Sequence, residues 1–511
     1  MEYQFPFFTV LLTFLIFIFM ILRLLKKSKT NLHSTLNLPP GPWKLPVIGN
    51  MHLLVGSLPH FCFGDLAKKY GSLMHLQLGE VSHIVISSPE TAKQVMKIHD
   101  ISFAQRPRYF SIGITTYNFT DIAFAPYGDY WRQMRKICTL ELLSAKRVQS
   151  FRSIREEEVS ILIKYLASTT GGLPINFSKM LVNLTNDITS RAAFGRRCED
   201  REAFLHAVQK TIELVGGFSV ADLFPSVKFL EVLSGMRSKL LRHREEMDKI
   251  LENIIDEHRA ASKAAMEKAS EDEAVCLLDV LLDLQDQGDL ELPLTRDNIN
   301  AVITDIFAAG SETTSTTMEW AISEMLKNPR VMEKAQAEVR QVFSKKGNVD
   351  ETGLHKLQYL KLVIKESLRL HPPLPLILPR ECRESCKING YDIPVGSKVI
   401  VNAWAIGRDP DYWTEAESFH PERFLDSSID YRGTDFELIP FGAGRRICPG
   451  LSFGIANAEL PLAQLLYHFD WKLPDGMKNQ DIDMTETFGV TARRKNDLYL
   501  IPTLHHPLPI E

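Results

Sequence analysis

Cysteine is scarce in this chain, with seven residues dispersed over 511 positions. Small secreted domains held together by disulfides are far richer in cysteine, so that class is excluded and most of these thiols should be reduced. Cys382 and Cys386 could form half of a metal site. No second Cys or His pair stands beside them, and a polar loop with two unpaired cysteines is the simpler interpretation.

An excess of positive charge is also absent, since 59 Lys and Arg face 63 Asp and Glu. A general nucleic-acid binder would be basic, so we expect no nucleic-acid partner. Linker-like runs of Gly, Ser or Pro are missing after the first fifty residues. Although the length would allow several domains, we therefore expect residues 51–511 to form one domain.

One long apolar run is present, from Phe5 to Leu25. A stretch of about 20 apolar residues spans a bilayer. Glu2 precedes the run, and Lys26, Lys27 and Lys29 follow it, which favours a retained single-pass anchor over residues 1–29 rather than a cleaved signal peptide. The positive-inside rule then predicts that the bulk of the chain lies in the cytosol.

Prolines mark the next segment, residues 30–50, which contains Pro39-Pro40-Gly41-Pro42. The fixed dihedral angles of proline predict a stiff hinge between anchor and domain. Beyond it, the alternating runs Leu73–Leu78 and His83–Ile86 predict strands, while helical periodicity extends from about 130 to 380. We predict a mostly α domain with a small β region.

A glycine-rich loop, residues 440–450, runs into an apolar, helix-like stretch near the C-terminus. Its cysteine, Cys448, should lie at a helix start, where backbone N–H groups and the helix dipole lower a thiol pKa. A buried inert thiol is the alternative for a lone cysteine, but this loop favours a thiolate ligand for iron. The glycines allow backbone to approach a flat cofactor, and Arg446 is placed to meet a carboxylate such as a haem propionate. The cofactor-binding candidates in this loop are Phe441, Gly444, Arg446, Cys448 and Gly450.

Glu366 and Arg369 are three residues apart on an apolar helix that Pro372 and Pro373 should terminate. Such pairs are common on surfaces and alone indicate only a salt bridge. Arg423, in Pro421-Glu422-Arg423-Phe424, would complete a buried Glu–Arg–Arg cluster that supports the cysteine loop.

A second apolar helix is predicted over residues 297–326, closed by Asn328-Pro329, with Ala309-Gly310-Ser311-Glu312-Thr313-Thr314 in its middle. Gly and Thr are unfavourable there, and a Thr hydroxyl can bond back to a helix carbonyl. The pattern indicates room for a small molecule, with Glu312 and Thr313 as a proton relay. An ordinary polar stripe is the alternative.

Trp131 and Arg135 are four residues apart, on one helical face. Both side chains donate hydrogen bonds and accept none, which suits the carboxylate of a buried cofactor. A cation–π or surface pair is the more common outcome.

These stretches together resemble the cytochrome P450 family from end to end. Their amino-acid sequences are similar to those of the plant microsomal clan that oxidises terpenoids and alkaloids. The resemblance implies the P450 fold, haem b with Cys448 as axial iron ligand, and propionate partners Trp131, Arg135, Arg380 and Arg446. It also implies that Glu312 and Thr313 deliver protons during oxygen activation.

The activity implied is that of a monooxygenase in the endoplasmic reticulum membrane, in contact with its lipid. It would use O2 and electrons from NADPH delivered by NADPH-cytochrome P450 reductase, because the chain has no nicotinamide fingerprint of its own. The substrate-facing residues carried over from the family are Phe307, Ala309, Leu376, Ile377, Phe488, Gly489 and Val490.

That lining is nearly all apolar and selects a small lipophilic substrate by shape. We expect a sesquiterpene or diterpene, with an alkaloid as the alternative. A haem-thiolate isomerase or dehydratase, or a non-catalytic haem protein, would need neither this proton relay nor a reductase.

Overall fold

A computed structural model describes residues 36–169, 172–197, 201–216, 219–267, 275–474, 476–487 and 489–507. The expected anchor over residues 1–29, the start of the hinge at 30–35, and Phe488 lie outside the described residues. Among the helices that are described, none is long and apolar enough to cross a bilayer.

Helices make up most of the described chain. They are α1 (Pro59–Tyr70), α2 (Pro89–Lys93), α3 (Asp100–Phe103), α4 (Phe110–Thr115), α5 (Asp129–Ile137), α6 (Ala145–Ser150), α7 (Arg152–Ser168), α8 (Phe177–Phe194), α9 (Arg201–Val215), α10 (Val220–Leu223), α11 (Phe229–Leu233), α12 (Met236–Glu267), α13 (Leu277–Gln287), α14 (Arg296–Lys327), α15 (Pro329–Phe343), α16 (Gln358–Leu370), α17 (Ala403–Ile406) and α18 (Leu451–His468).

Three small sheets accompany the helices. Their strands are β1 (Leu73–Leu78), β2 (Val81–Ile86), β3 (Ile175–Asn176), β4 (Arg380–Glu381), β5 (Cys386–Ile388), β6 (Tyr391–Ile393), β7 (Lys398–Val401), β8 (Phe469–Lys472) and β9 (Tyr499–Leu504). The first sheet has the order β1-β2-β7-β4, the second β3-β9-β8, and the third pairs β5 with β6. Only the β2/β7 pair among these described strands is parallel. The predicted mostly α architecture with a small β region is confirmed.

The local sequence signals explain where several elements begin and end. Strands β1 and β2 form an antiparallel hairpin that pairs Leu73 with Ile86, in agreement with the alternating pattern. Helix α14 starts at a reciprocal cap in which the Thr295 hydroxyl accepts from the Asn298 N–H and the Asn298 side chain accepts from the Thr295 N–H. It ends at Lys327, just before the Asn328-Pro329 step.

Helix α14 runs through the core and packs against α8, α16 and α18. Its C-terminal half is fully buried at Met318, Trp320, Ile322 and Met325. Each such side chain stabilises the fold by about 1.5–3 kcal/mol. The long helix is therefore a rigid support for the residues at its centre.

The structure brings Glu366, Arg369 and Arg423 together in a buried cluster. The two guanidinium donors of Arg369 reach the two oxygens of Glu366 at 2.8 Å each, and Arg423 Nε donates to Glu366 Oε1 at 2.9 Å. The side chains of Glu366 and Arg369 are 0% exposed, so this is not the surface pair that spacing alone would suggest.

The same cluster fixes a long irregular segment that leads towards the cysteine loop. Arg369 donates to the carbonyls of Gly407, Ala416 and Ser418. Arg423 donates to the carbonyl of Thr414. The cluster thus anchors residues 407–423 to α16, and these hydrogen bonds do not reach the cysteine loop at 440–450.

Glu366→Gln should lower the free energy of unfolding by about 3–5 kcal/mol, because it leaves two buried arginines without their counter-charge. Denaturant unfolding of the purified protein measures the loss. The matched control is Glu417→Gln: Glu417 pairs with Arg408 but its side chain is 75% exposed, so the change should be about 0–1 kcal/mol. Equal effects of the two variants would contradict a central role for the cluster.

Candidate active site

Cys448 lies in a tight turn just before α18. Its N–H donates to the carbonyl of Phe441 at 2.9 Å, which closes the loop on itself. Gly444 has φ +68°, and a Cβ there would overlap the carbonyl oxygen of Met96. The loop therefore requires glycine at this position, both for its left-handed backbone and for its contact with the segment before α3. Gly450 lies next to the thiol, and an added Cβ there would be in ordinary contact with Sγ at 3.9 Å.

The electrostatics at Cys448 differ from the sequence-based expectation. Burial raises the pKa of its thiol, and the Gly450 N–H and the Arg135 charge oppose this increase without cancelling it. The helix-start donors are present, but the protein alone does not favour the thiolate as we predicted. A metal ion at the sulfur would supply the missing positive charge, so the donor set fits a thiolate-bound iron.

Buried arginines surround this loop in excess of carboxylates. Arg446 donates to the carbonyls of Ala104 at 2.8 Å and Ala125 at 2.6 Å. No carboxylate in the described chain forms an ion pair with it. Burial, together with the like charges of Arg380 and Arg135, lowers the pKa of Arg446 to about 9. The guanidinium of Arg135 has neither a hydrogen bond nor an ion pair among the described residues.

This surplus of buried positive charge is the test of whether the site fits a haem. Unpaired buried cations are costly, and carboxylates that entered the site would relieve that cost. A planar cofactor with two carboxylate groups and a metal ion supplies both missing charges. The residues present therefore fit haem.

Two of the predicted propionate partners already have protein partners. The single donor of Trp131, Nε1, is bound to the carbonyl of Ile122 at 3.1 Å, and its ring lies 4.1 Å from the Arg446 guanidinium. Arg380 donates to Asp100 at 2.9 Å and to the Ala443 carbonyl at 2.7 Å. In this geometry Trp131 supports Arg446 instead of offering a donor of its own, because the i, i+4 pattern could not show the backbone carbonyl beside it.

Sequence reasoning missed Asp100 and Arg106. The Asp100 carboxylate holds Arg380 and also accepts from the backbone N–H and side chain of Arg445. Arg106 is buried and donates to the carbonyls of three residues, Ala123, Leu378 and Pro379. Their partners are distant in sequence and mostly backbone atoms, so no local motif marked them.

The centre of α14 forms a second group of candidate residues. Ala309 is exposed in the middle of an otherwise buried helix, so the helix faces open space at this point. The Thr313 hydroxyl donates to the Ala309 carbonyl at 2.6 Å, which is the predicted back-bond. Gly310 serves packing instead: an added Cβ would contact Phe453 and Thr189 at 3.6–3.7 Å, so its side of the helix is filled by protein.

Glu312 points towards a different neighbour, Arg493, whose Nε lies 3.4 Å from its carboxylate. Burial raises the pKa of Glu312, while Arg493 and a hydrogen bond with Thr491 oppose the increase. The group therefore keeps its proton to a higher pH than an ordinary glutamate. Glu312 lines a cavity of about 180 Å³ together with Gly489 and Val490, two of the predicted substrate-facing residues.

Phe307 does not face this space, and the prediction for it is wrong. Its ring is 0% exposed and packs between Phe194, at 5.1 Å, and Phe204, at 4.6 Å. Successive helical residues are rotated by about 100°, so Phe307 and Ala309 lie on nearly opposite faces of α14. Leu376 and Ile377 are half-buried in the turn after α16, and Ile377 lies near the cysteine loop, 3.7 Å from a Cβ placed on Gly442.

Comparison with known proteins agrees with this site. Desmethyl-deoxy-podophyllotoxin synthase of Sinopodophyllum hexandrum is 56% identical over 99% of this chain and 98% of its own. Premnaspirodiene oxygenase of Hyoscyamus muticus is 55% identical over 96% of this chain and 98% of its own. A zebra fish cytochrome P450 solved with abiraterone superposes with a TM-score of 0.72 at 25% identity, covering 88% of this chain and 99% of that one.

The family model described as Cytochrome P450 matches residues 39–501, which include the cysteine loop, α14 and the Glu366 cluster. The resemblance to plant members of the family is confirmed by the two plant relatives. The chain therefore belongs to the cytochrome P450 family, monooxygenases that use haem b, molecular oxygen and electrons from a reductase.

Proposed function

We propose that this protein hydroxylates a lipophilic specialised metabolite, a sesquiterpene or diterpene as first choice, with Cys448 as the thiolate ligand of the haem iron. The observation that carries the proposal is the half-buried Cys448 thiol beside Arg135 and Arg446, whose guanidinium groups form no ion pair with a carboxylate in the described chain. A non-catalytic haem carrier would not need the polar pair Glu312 and Thr313 on α14.

Three groups would hold the cofactor. Cys448 would bind the iron, Arg135 and Arg446 would pair with the propionates, and Gly444 and Gly450 leave the loop without side chains at close contacts. Arg380 contributes mainly through Asp100, by fixing the loop. When bound, haem supplies oxygen activation and the transfer of one oxygen atom to the substrate.

Glu312 and Thr313 would transfer protons to the reaction site. Burial raises the pKa of Glu312 above that of an ordinary glutamate, which makes its carboxyl group a better store for a proton. The Thr313 hydroxyl hydrogen is held by the Ala309 carbonyl, so its oxygen lone pairs remain free to accept. To pass a proton on, the Thr313 hydroxyl must give up its hydrogen bond to the Ala309 carbonyl and donate to the reacting oxygen instead. It must then receive a new proton that comes from Glu312.

The substrate class is supported by the apolar character of Ala309, Leu376, Ile377 and Val490. The cavity beside Glu312 adds polar groups from Gln209, Glu213, Thr487, Thr491 and Arg493. One relative is named premnaspirodiene oxygenase and another desmethyl-deoxy-podophyllotoxin synthase. The two names refer to different compounds, so the relatives support oxidation of a specialised metabolite without fixing its skeleton.

We also propose a location, on the endoplasmic reticulum membrane with the catalytic domain in the cytosol. The apolar run from Phe5 to Leu25 and the lysines that follow support it. Fractionation of cells that express the full chain, compared with a chain lacking residues 1–29, tests the anchor. Equal membrane retention of both would remove this part of the proposal.

Thr313→Ala should lower the rate of product formation by about 100-fold, because it removes the proton-transferring hydroxyl. NADPH consumption should fall much less, so the product formed per NADPH decreases. Thr304→Ala is the matched control, since Thr304 on the same helix makes the same back-bond, to the Asn300 carbonyl at 2.8 Å. A similar loss of product yield in both variants would count against the relay.

The full chain, co-expressed with NADPH-cytochrome P450 reductase in microsomes, should convert a sesquiterpene or diterpene into a product one oxygen atom heavier. Mass spectrometry of a panel of terpenoids and alkaloids identifies the substrate. Conversion should stop without NADPH or without oxygen.

Each other outcome corrects a stated part of the proposal. Oxidation of alkaloids alone overturns the terpenoid assignment and keeps the monooxygenase. Conversion that needs neither oxygen nor NADPH indicates an isomerase or dehydratase.

A further inference from the structure

His258, Cys276 and Asp279 form a cluster of metal-ligating groups on the side of the domain where α12 meets α13. One ligand atom from each, an imidazole nitrogen, a thiol sulfur and a carboxylate oxygen, lies within 4.8 Å of the other two. His258 Nε2 is 2.5 Å from Asp279 Oδ1 and 3.8 Å from Cys276 Sγ. The three atoms therefore converge on one point near the ring nitrogen.

The geometry matches a tetrahedral cation after a small movement. Zinc binds sulfur at about 2.3 Å, and nitrogen or oxygen at about 2.0–2.2 Å, so its ligand atoms are separated by about 3.2–3.7 Å. The sulfur-to-nitrogen distance of 3.8 Å is just above this range. The nitrogen-to-oxygen distance would have to open by less than an ångström, as the ring proton between the two atoms is replaced by the metal.

Charge and ligand type point to the same ion. A thiolate, a carboxylate and a neutral imidazole carry two negative charges, which a divalent cation balances in a partly buried place. A mixture of sulfur, nitrogen and oxygen ligands suits zinc, whereas magnesium and calcium prefer oxygen alone. The nearby cation Arg259 is engaged by Gln285 and Asp286.

Two further features complete a ligand set. The second oxygen of Asp279 accepts the backbone N–H of Cys276 at 2.9 Å, so the carboxylate is already oriented by a hydrogen bond. The Asp279 side chain is 31% exposed and that of His258 12%, while Cys276 is 1% exposed. The cluster is thus open to solvent on one side, which gives a path of entry and room for a water as fourth ligand.

We propose that His258, Cys276 and Asp279 bind one zinc ion that ties α12 to the start of α13. On binding, the thiol proton leaves to solvent and the His258 Nε2 proton is exchanged through solvent for one on Nδ1, so the ring stays neutral, Nε2 binds the metal and no oxidation state changes. The site lies apart from the cysteine loop and stands independently of the proposed substrate. Its effect is structural, because it links the two helices across residues 268–275.

The test uses the untagged, haem-loaded full chain, freed of metal with a chelator and titrated with zinc against a chromophoric competitor. We expect one tightly bound zinc ion per chain. X-ray absorption spectroscopy at the zinc edge should show a single sulfur neighbour at about 2.3 Å from the metal. Zinc should also raise the unfolding temperature.

Cys276→Ser separates a metal ligand from a structural cap. Cys276 is the N-cap residue of α13, and serine is a favoured N-cap. The variant should therefore fold normally but bind zinc at least about tenfold more weakly. Asp279→Asn, which keeps an oxygen to accept the Cys276 N–H, should show the same loss.

Two controls change the same residue types elsewhere: Asp283→Asn, exposed one turn along α13, and Cys62→Ser on α1. Both should bind zinc as the unaltered chain does. The site is overturned if Cys276→Ser and Asp279→Asn bind zinc as tightly as the unaltered chain does. In that case His258 and Asp279 form a hydrogen-bonded cap only.

Discussion

The structure depends on a surplus of positive charge, buried or half-buried, around one half-buried thiol. Arg446, Arg106 and Arg135 lie near the loop of Cys448, and the first two donate mainly to backbone carbonyls. Asp121 offsets the charges of Arg106 and Arg446 only in part, since burial still lowers the pKa of both. Neutral side chains at these positions would stabilise the fold, because buried cations that lack an ion-pair partner are unfavourable. Their presence is explained by a dianionic cofactor with a metal at its centre, for which the same charges become favourable.

The remaining architecture holds the two sides of that space at fixed positions. The Glu366 cluster ties the segment before the loop to α16, and Asp100 ties the loop itself to Arg380. On the other side, α14 is capped and mostly buried, and it presents Ala309, Glu312 and Thr313. The polar groups of the site are thus carried by rigid elements, which is what proton transfer at a defined distance requires.

Sequence reasoning found the features that have local signals. Helix ends at Leu370 and Lys327, the β1–β2 hairpin and the back-bond of Thr313 follow from proline positions, alternation and side-chain chemistry within a few residues. The spacing of Glu366 and Arg369 showed a pair but not its burial, which Arg423 and four distant carbonyls create.

The failures have physical causes too. The substrate-facing role was transferred from the family to both Phe307 and Ala309. Helical residues are rotated by about 100° each, so two residues that are two positions apart cannot share one face of α14. Partners of Trp131 and Arg106 are backbone carbonyls of residues brought near by the fold, and no side-chain pattern encodes them. The thiol pKa was predicted from the helix start alone, whereas burial of Cys448 outweighs it.

The claim that Cys448 is the iron ligand is tested most directly by the carbon monoxide difference spectrum of the reduced protein. Cys448→Ser should lose the absorption band typical of thiolate-bound haem, while Cys138→Ser should keep it. Cys138 is the matched control, a thiol 1% exposed that also interacts with Arg135. A thiolate-type band that survives in Cys448→Ser would contradict the account.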